Sequence, residues 1–287
     1  MGNLKKNIKN IFFTVLELAI LYVSSIIILI ITTFIDNIIN SSMSDATASF
    51  AITKIINASA ILLVVFVFFK VKRHINLIKA LKDQFFNINK KLITFVIISV
   101  LAAIIIPLML YLLGYMQMSW LIWNKLYLED IIPIMIVGFL DCFLEAFSEE
   151  ILYRLAAYEI IKRKLSRKWI YIFSTLIYIL IYWVGSGISL VTIINLILLN
   201  ITMMNIYIKF NNIWLSIIPR AVFEYIISYG FSMKRYGAQI PGIIGFTSGS
   251  NSFINGGQYG FYGSVFTTIF FIIITAITTY EFFYKKN

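Results

Sequence analysis

The chain has 287 residues, 60% of them hydrophobic and 13% charged, with a mean hydropathy of +0.90. A soluble domain of this size has no use for so much apolar surface, and uncharged runs beyond about 18 residues point to helices that cross a bilayer. The 24 Lys and Arg against 13 Asp and Glu do not indicate nucleic acid. They lie mainly between the apolar runs, where positive charge sets orientation. One cysteine, Cys142, excludes an internal disulfide and a thiolate cluster, and a single histidine, His74, excludes a histidine-rich metal site within one chain.

In chain order, the first apolar run spans Ile11 to Ile35 and follows Lys5, Lys6 and Lys9. It exceeds the roughly 7–15-residue core of a secretory signal, so it reads as a retained span. Further spans are predicted at about 50–69, 92–114, 131–161, 168–184, 188–208, 213–230 and 262–281. Lys54 at the edge of the second can snorkel. Gly185-Ser186-Gly187 is the natural turn between the fifth and sixth. Segment 70–91 sets Ile75, Leu77, Ile78, Leu81, Phe85 and Phe86 among lysines and is expected to lie along the inner membrane surface. Gly237–Tyr262, rich in Gly, Ser and Asn, reads as an external loop.

Charge tests the count. Most basic residues fall in the N-terminus, 70–91, Lys162 to Lys168, Lys209 and Lys285-Lys286, while the alternate segments hold Lys125, Lys234 and Arg235. This asymmetry predicts an all-α polytopic bundle of about eight helices with both termini cytoplasmic. The division expected is 1–129, three spans plus the basic amphipathic segment, and 130–284, a core with the polar residues.

The fourth span carries Asp141, Glu145, Glu149, Glu150 and Arg154. An ionised acid at a bilayer centre costs about 2.5–3.5 kcal/mol on insertion scales, so such groups face a partner charge or a watery cavity. Asp141, Glu145 and Glu149 recur at i, i+4, i+8 and share a face, and Glu150 with Arg154 is an i, i+4 pair. Two adjacent carboxylates in low dielectric do not readily both ionise, which suits a shared-proton pair able to activate water. In the seventh span Pro219-Arg220 precedes Glu224, again at i+4. The readings are a local Arg220–Glu224 bridge, or Arg220 meeting Glu149 across the bundle with Asn195, Asn200 and Asn205 as further donors. Tyr178 and Tyr182 stand one turn apart in the fifth span, a placement common for packing struts.

Phe147-Ser148-Glu149-Glu150-Ile151-Leu152-Tyr153-Arg154 has the form EExxxR, and in a transmembrane helix it resembles the first motif of the CPBP intramembrane protease family. That family includes type II CAAX prenyl proteases and Abi-like proteins of bacteriocin processing and self-immunity. The second motif of the family is FxxxH, and here Tyr178 and Tyr182 occupy its frame. The third is HxxxN, and here Arg220 and Glu224 occupy its frame. Asn255 to Ser264 also resembles a segment before the last span of bacterial members. The resemblance covers about residues 130–280. It implies an endopeptidase in which the glutamate activates water while the histidines and asparagine shape the site.

Without a histidine in any span, a metal or other cofactor is not expected. A metal-free variant would use Glu149 as base with Tyr182 and Arg220 stabilising the oxyanion. A guanidinium does not release its proton near neutrality, however, and would rather pair with Glu149. The reading that follows is a degenerate, non-proteolytic member that binds a membrane peptide or protein partner in bacteriocin immunity or envelope regulation. An active endopeptidase and a proton-coupled carrier are the alternatives.

Overall fold

The computed structural model describes residues 2–42, 46–72, 76–86, 90–121, 128–186, 189–234, 242–248 and 252–283. Two long helices, α1 (Gly2–Ser42) and α2 (Ala46–Lys72), pack on each other and are followed by the short α3 (Leu77–Phe86) and by α4 (Lys90–Leu112). Next come a strand β1 (Met116–Leu121) and α5 (Leu128–Glu150), which continues through a π turn (Ile151–Ala156) into α6 (Ala157–Ile161). Helices α7 (Arg167–Ser186), α8 (Leu190–Phe210) and α9 (Trp214–Tyr225) complete the centre, and α9 ends in a second π turn (Ile226–Gly230). The chain closes with β2 (Ile244–Ser248), the single-turn α10 (Ser252–Asn255), two 3-10 turns and α11 (Val265–Phe283).

Among the described residues, five helical stretches are long and apolar enough to cross a membrane: Ile8–Thr32, Ile52–Lys72, Lys90–Leu112, Ile131–Ile161 and Leu190–Phe210. Their outer faces stay apolar, as at Ile30, Leu63, Ile93 and Leu101, because lipid rather than water solvates them. The protein is therefore an all-α, multi-pass membrane bundle. The other three predicted spans coincide with α7, α9 with its π turn, and α11. α7 runs on through Gly185 and Ser186 of the expected turn, and Gly187 lies outside the described residues. Ser189 then caps α8, its hydroxyl accepting from the Thr192 N–H at 3.1 Å. Asn211, in the left-handed region (φ 46°), ends α8.

Two features differ from the sequence reading. The segments taken as loops around 116–121 and 244–248 pair as an antiparallel two-stranded sheet, with Met116 opposite Ser248, Leu121 opposite Ile244 and an irregularity between Met118 and Trp120. Its pairing joins residues more than a hundred positions apart, so no local pattern announces it. Segment 70–91 is less of a free surface helix than expected. The Asn212 side chain donates to the Gln84 carbonyl (2.8 Å), the Gln84 side chain accepts from the Ile213 N–H (2.9 Å), and the Trp214 indole donates to the Leu81 carbonyl (3.1 Å). Leu77 is buried, while Ile78 and Phe85 remain exposed. α3 thus braces the start of α9, whose first N–H groups would otherwise lack partners. His74, Lys125, Arg235, Lys285 and Lys286 lie outside the described residues.

The basic ends of the helices meet. Lys164, just after α6, pairs with Glu17 of α1 at 2.8 Å, and the Asn10 amide reaches the Lys164 carbonyl. Tyr171 near the start of α7 donates to Asn205 near the end of α8 at 2.6 Å, and the rings of Phe95 and Phe210 lie 5.9 Å apart. At the other end of the bundle the sheet and the Asn255 region come together, with the Asn255 amide donating to the Tyr115 carbonyl at 3.0 Å.

Candidate functional site

Arg220 is the hub of the core. It sits on α9 directly after Pro219, is 1% exposed, and spreads its guanidinium among three carboxylates. Nη2 donates to Glu149 (2.5 Å), Nη1 to Glu150 (3.0 Å) and Nε to Glu224 (3.0 Å). A planar fork with five N–H groups can serve several acids at once, which a lysine ammonium on a single stem cannot do in this geometry. The two readings left open for Arg220 are therefore both realised: the bond to Glu224 one turn on, and the bond to Glu149 across the bundle.

Glu149 and Glu150 project from the last turn of α5, where the helix passes into its π turn. Consecutive residues point about 100° apart on a helix, so the two acids approach Arg220 from different directions. Glu150 is fully buried and also meets Arg154 Nη1 at 3.3 Å. The Arg154 guanidinium, equally buried, lies 4.7 Å from the centre of the Tyr178 ring, a cation–π contact that offsets part of its desolvation. The π turn widens the helix beside Tyr22, whose hydroxyl donates to the Leu152 carbonyl at 3.2 Å. π turns recur beside functional sites, and here one follows Glu150 and another follows Glu224 within two residues.

Tyr182 closes the cluster from α7. Its hydroxyl lies 2.9 and 2.8 Å from the two oxygens of Glu149, and Arg220 Nη2 is 3.3 Å from the same hydroxyl. Glu149 keeps 15% of its side chain exposed, whereas Glu150, Arg154, Arg220 and Glu224 keep 1% or less. The structure thus brings Glu149, Glu150, Arg154, Tyr182, Arg220 and Glu224 into one connected cluster, with Glu149 as its most accessible acid.

One member escaped the sequence reading. Tyr262 donates to Glu224 at 2.9 Å. It follows a glycine-rich stretch in which Gly256, Gly257 and Gly260 all have positive φ. A Cβ on Gly260 would run into the Lys234 carbonyl, so the backbone that carries Tyr262 can pass there only as glycine. The signal lay in the sequence Gly260-Phe261-Tyr262-Gly263, a buried aromatic pair framed by glycines in what looked like a loop.

The asparagines of α8 are not donors to the charge cluster, contrary to expectation. Asn195 binds the carbonyls of Tyr262 (2.7 Å) and Ser264 (3.1 Å), Asn200 binds the hydroxyls of Ser174 and Thr175, and Asn205 binds Thr278 and Thr279. Hydroxyls and bare carbonyls on neighbouring helices were closer partners, and each amide in an apolar interior must find one. Asn195 still reaches the site indirectly, through the backbone of Tyr262.

Asp141 and Glu145, two turns and one turn away from Glu149 on the same stripe, belong to a separate cluster. Lys54 of α2 pairs with Asp141 at 3.0 Å and approaches Glu145 at 3.9 Å, and Tyr229 donates to Asp141 at 3.0 Å. Lys54 is a partner rather than a snorkelling edge residue. Glu159, at the far end of the same helical stretch, pairs with Lys162. Cys142 is buried packing.

Residues 131–226 match the family model for type II CAAX prenyl endopeptidase Rce1-like proteins. No curated protein and no solved structure matches the chain. The matched stretch carries the EExxxR helix, Tyr182, Arg220 and Glu224, so residues 131–226 are similar to CAAX-protease-like integral membrane proteins, in line with the resemblance of the first motif to the CPBP family.

Proposed function

We propose that this protein is a catalytically degenerate CAAX-protease-like protein of the bacterial cytoplasmic membrane, with eight spans and both termini inside. It holds a membrane peptide or protein partner at the cleft around Glu149 and acts in bacteriocin self-immunity or envelope regulation. The observation that carries this reading is the direct bond from Arg220 to Glu149. A general base must offer a carboxylate oxygen to the attacking water. Here one oxygen accepts from Arg220 and both lie within reach of the Tyr182 hydroxyl. A guanidinium so placed holds the acid as an ion-pair partner and cannot pass a proton to a leaving amine.

The same arrangement speaks against a metal-assisted route. Glu149, Glu150 and Glu224 do converge, but on the guanidinium of Arg220, and a divalent cation would have to displace it. Carboxylates facing two buried arginines are a poor donor set for such an ion. The clustering of basic helix ends at one end of the bundle supports the cytoplasmic orientation.

One observation favours the second reading, an active endopeptidase: Glu149 keeps its partial exposure. The test separates the two. The full chain, reconstituted in proteoliposomes, is offered prenylated and leader-bearing peptides carrying a photocrosslinker. Degeneracy requires that wild type cleave no faster than Glu149→Gln while both crosslink the bound peptide. Cleavage by wild type that Glu149→Gln abolishes overturns it.

A further inference from the structure

A cleft opens between α4, α8 and α11 and ends on the charge cluster. Its deeper part, about 90 Å³, is lined by Leu199, Met203, Phe223 and Phe271 and floored by Pro219, Arg220 and Tyr262. Toward the basic end of the bundle it adjoins a second space of about 210 Å³, bordered by Lys91, Lys209, Asn205 and Thr94. Phe95, Ile98, Ile206, Ile277 and Thr278 line both. Packing explains the opening: α4 seats on α9 and α11 seats on α8, so α4 and α11 touch each other little.

The lining selects the class of occupant. Between the lysines and Arg220 the walls are mostly apolar, with Thr94 and Asn205 near the lysines and the hydroxyls of Ser99, Thr202 and Thr278 further in. Thr202 is already bonded to Thr275 at 2.8 Å. A peptide strand would bring N–H and C=O groups that find few partners there, each costly to bury. A hydrocarbon chain brings none. The mouth, by contrast, presents two cations at the level where helix ends meet the membrane surface. Positive charge at that level attracts anionic lipid headgroups, and tighter recognition arises from basic pockets between helices.

We infer that this cleft is a binding site for an anionic phospholipid, its phosphate held at Lys91 and Lys209 and one acyl chain running inward along Phe95 and Ile98 toward Arg220 and Tyr262. The inference is independent of whether Glu149 is active, because it rests on the α4, α8 and α11 walls rather than on the carboxylates. It would place a lipid tail directly behind the cluster, where its presence fills the space beside α9.

The full chain is placed in phosphatidylcholine nanodiscs with a few per cent of phosphatidylglycerol bearing a diazirine in one acyl chain. Labelling is mapped by mass spectrometry. The expected result is labelling concentrated on α4 and α11 inside the cleft, outcompeted by unlabelled phosphatidylglycerol and not by extra phosphatidylcholine. Lys91→Gln with Lys209→Gln lowers it roughly 10–30-fold, the order expected for two lysines facing an anionic headgroup. Ile98→Trp, which fills the cleft without touching the lysines, suppresses labelling as well. Labelling spread evenly over the lipid-facing helices, equal labelling by a phosphatidylcholine probe, or displacement by a prenylated peptide in preference to phosphatidylglycerol each overturns the inference. The comparison of the two lipid probes on wild type decides the matter even where a variant fails to fold.

Discussion

The two ends of the acid stripe on α5 solve the same problem in opposite ways. Asp141 and Glu145 are met by one lysine from a neighbouring helix, 29% exposed, and by the Tyr229 hydroxyl. Glu149 and Glu150 are met by two arginines sealed in the core, and Glu224 is drawn into the same knot. A lysine is a strongly hydrated point charge that is best kept near water, whereas a guanidinium sheds water more easily and spreads its bonds over several acceptors. The outer cluster therefore joins α2, α5 and the π turn after α9 through a cation that stays near water. The inner cluster ties α5, α7, α9 and the Tyr262 segment together. Damage to the inner cluster should therefore be far larger and should spread to several elements.

The greatest effect is expected from Arg220→Ala. It leaves the buried Glu150 and Glu224 and the partly exposed Glu149 without their shared cation, and breaking a buried ion pair typically costs about 3–5 kcal/mol. Thermal unfolding in detergent micelles would show it as a large fall in Tm or as failure to recover folded protein. Arg220→Lys should restore little, since one ammonium cannot reach Glu149, Glu150 and Glu224 together. Stability near wild type for the lysine variant would mean that charge alone, not the fork, holds the cluster.

Next comes Gly260→Ala. Its positive φ of 62° and the closeness of the Lys234 carbonyl leave no room for a methyl group. Strain of this kind costs about 1–3 kcal/mol. It acts on the inner cluster from outside, by shifting Tyr262. Lys54→Met should cost less than Arg220→Ala, on the order of 1 kcal/mol, because the lysine is partly solvated and Asp141 retains Tyr229. Equal losses from Lys54→Met and Arg220→Ala would erase the contrast between the two clusters.

How much of this was readable beforehand depends on the distance over which a residue's meaning is set. The apolar runs that become α1, α2, α4 and α8 carry their own signal, since lipid solvation demands it of every residue. Glu149, Arg154, Arg220 and Glu224 stand out because charge is so rare in such runs, and the i+4 spacings place them in pairs. Tyr182 was visible only through the motif frame. The strand pair Met116–Leu121 with Ile244–Ser248, the brace from Gln84 to Asn212, and Lys54 reaching Asp141 all depend on contacts between distant segments. The α8 asparagines show the same limit from the other side. Their need for partners was evident, but which of many nearby acceptors each would take is decided by the packing of α7 and α11.

The smallest effect tests the finest point, the bond that sequence reading missed. Tyr262→Phe removes the hydroxyl that donates to Glu224 at 2.9 Å while keeping the ring packed against Phe271 and Phe261. With its charge already matched by Arg220, Glu224 makes this an ordinary hydrogen bond, which contributes about 0.5–1.5 kcal/mol net. The loss should therefore sit in that range. A double-mutant cycle with Glu224→Gln sharpens it. Residues joined in one network couple by about 0.5–3 kcal/mol, whereas independent ones add. The pair Tyr262→Phe with Glu224→Gln should be non-additive, and the pair Tyr262→Phe with Lys54→Met should be additive. Additivity in both would mean that Tyr262 only packs beside the cluster, which would then consist of α5, α7 and α9 alone.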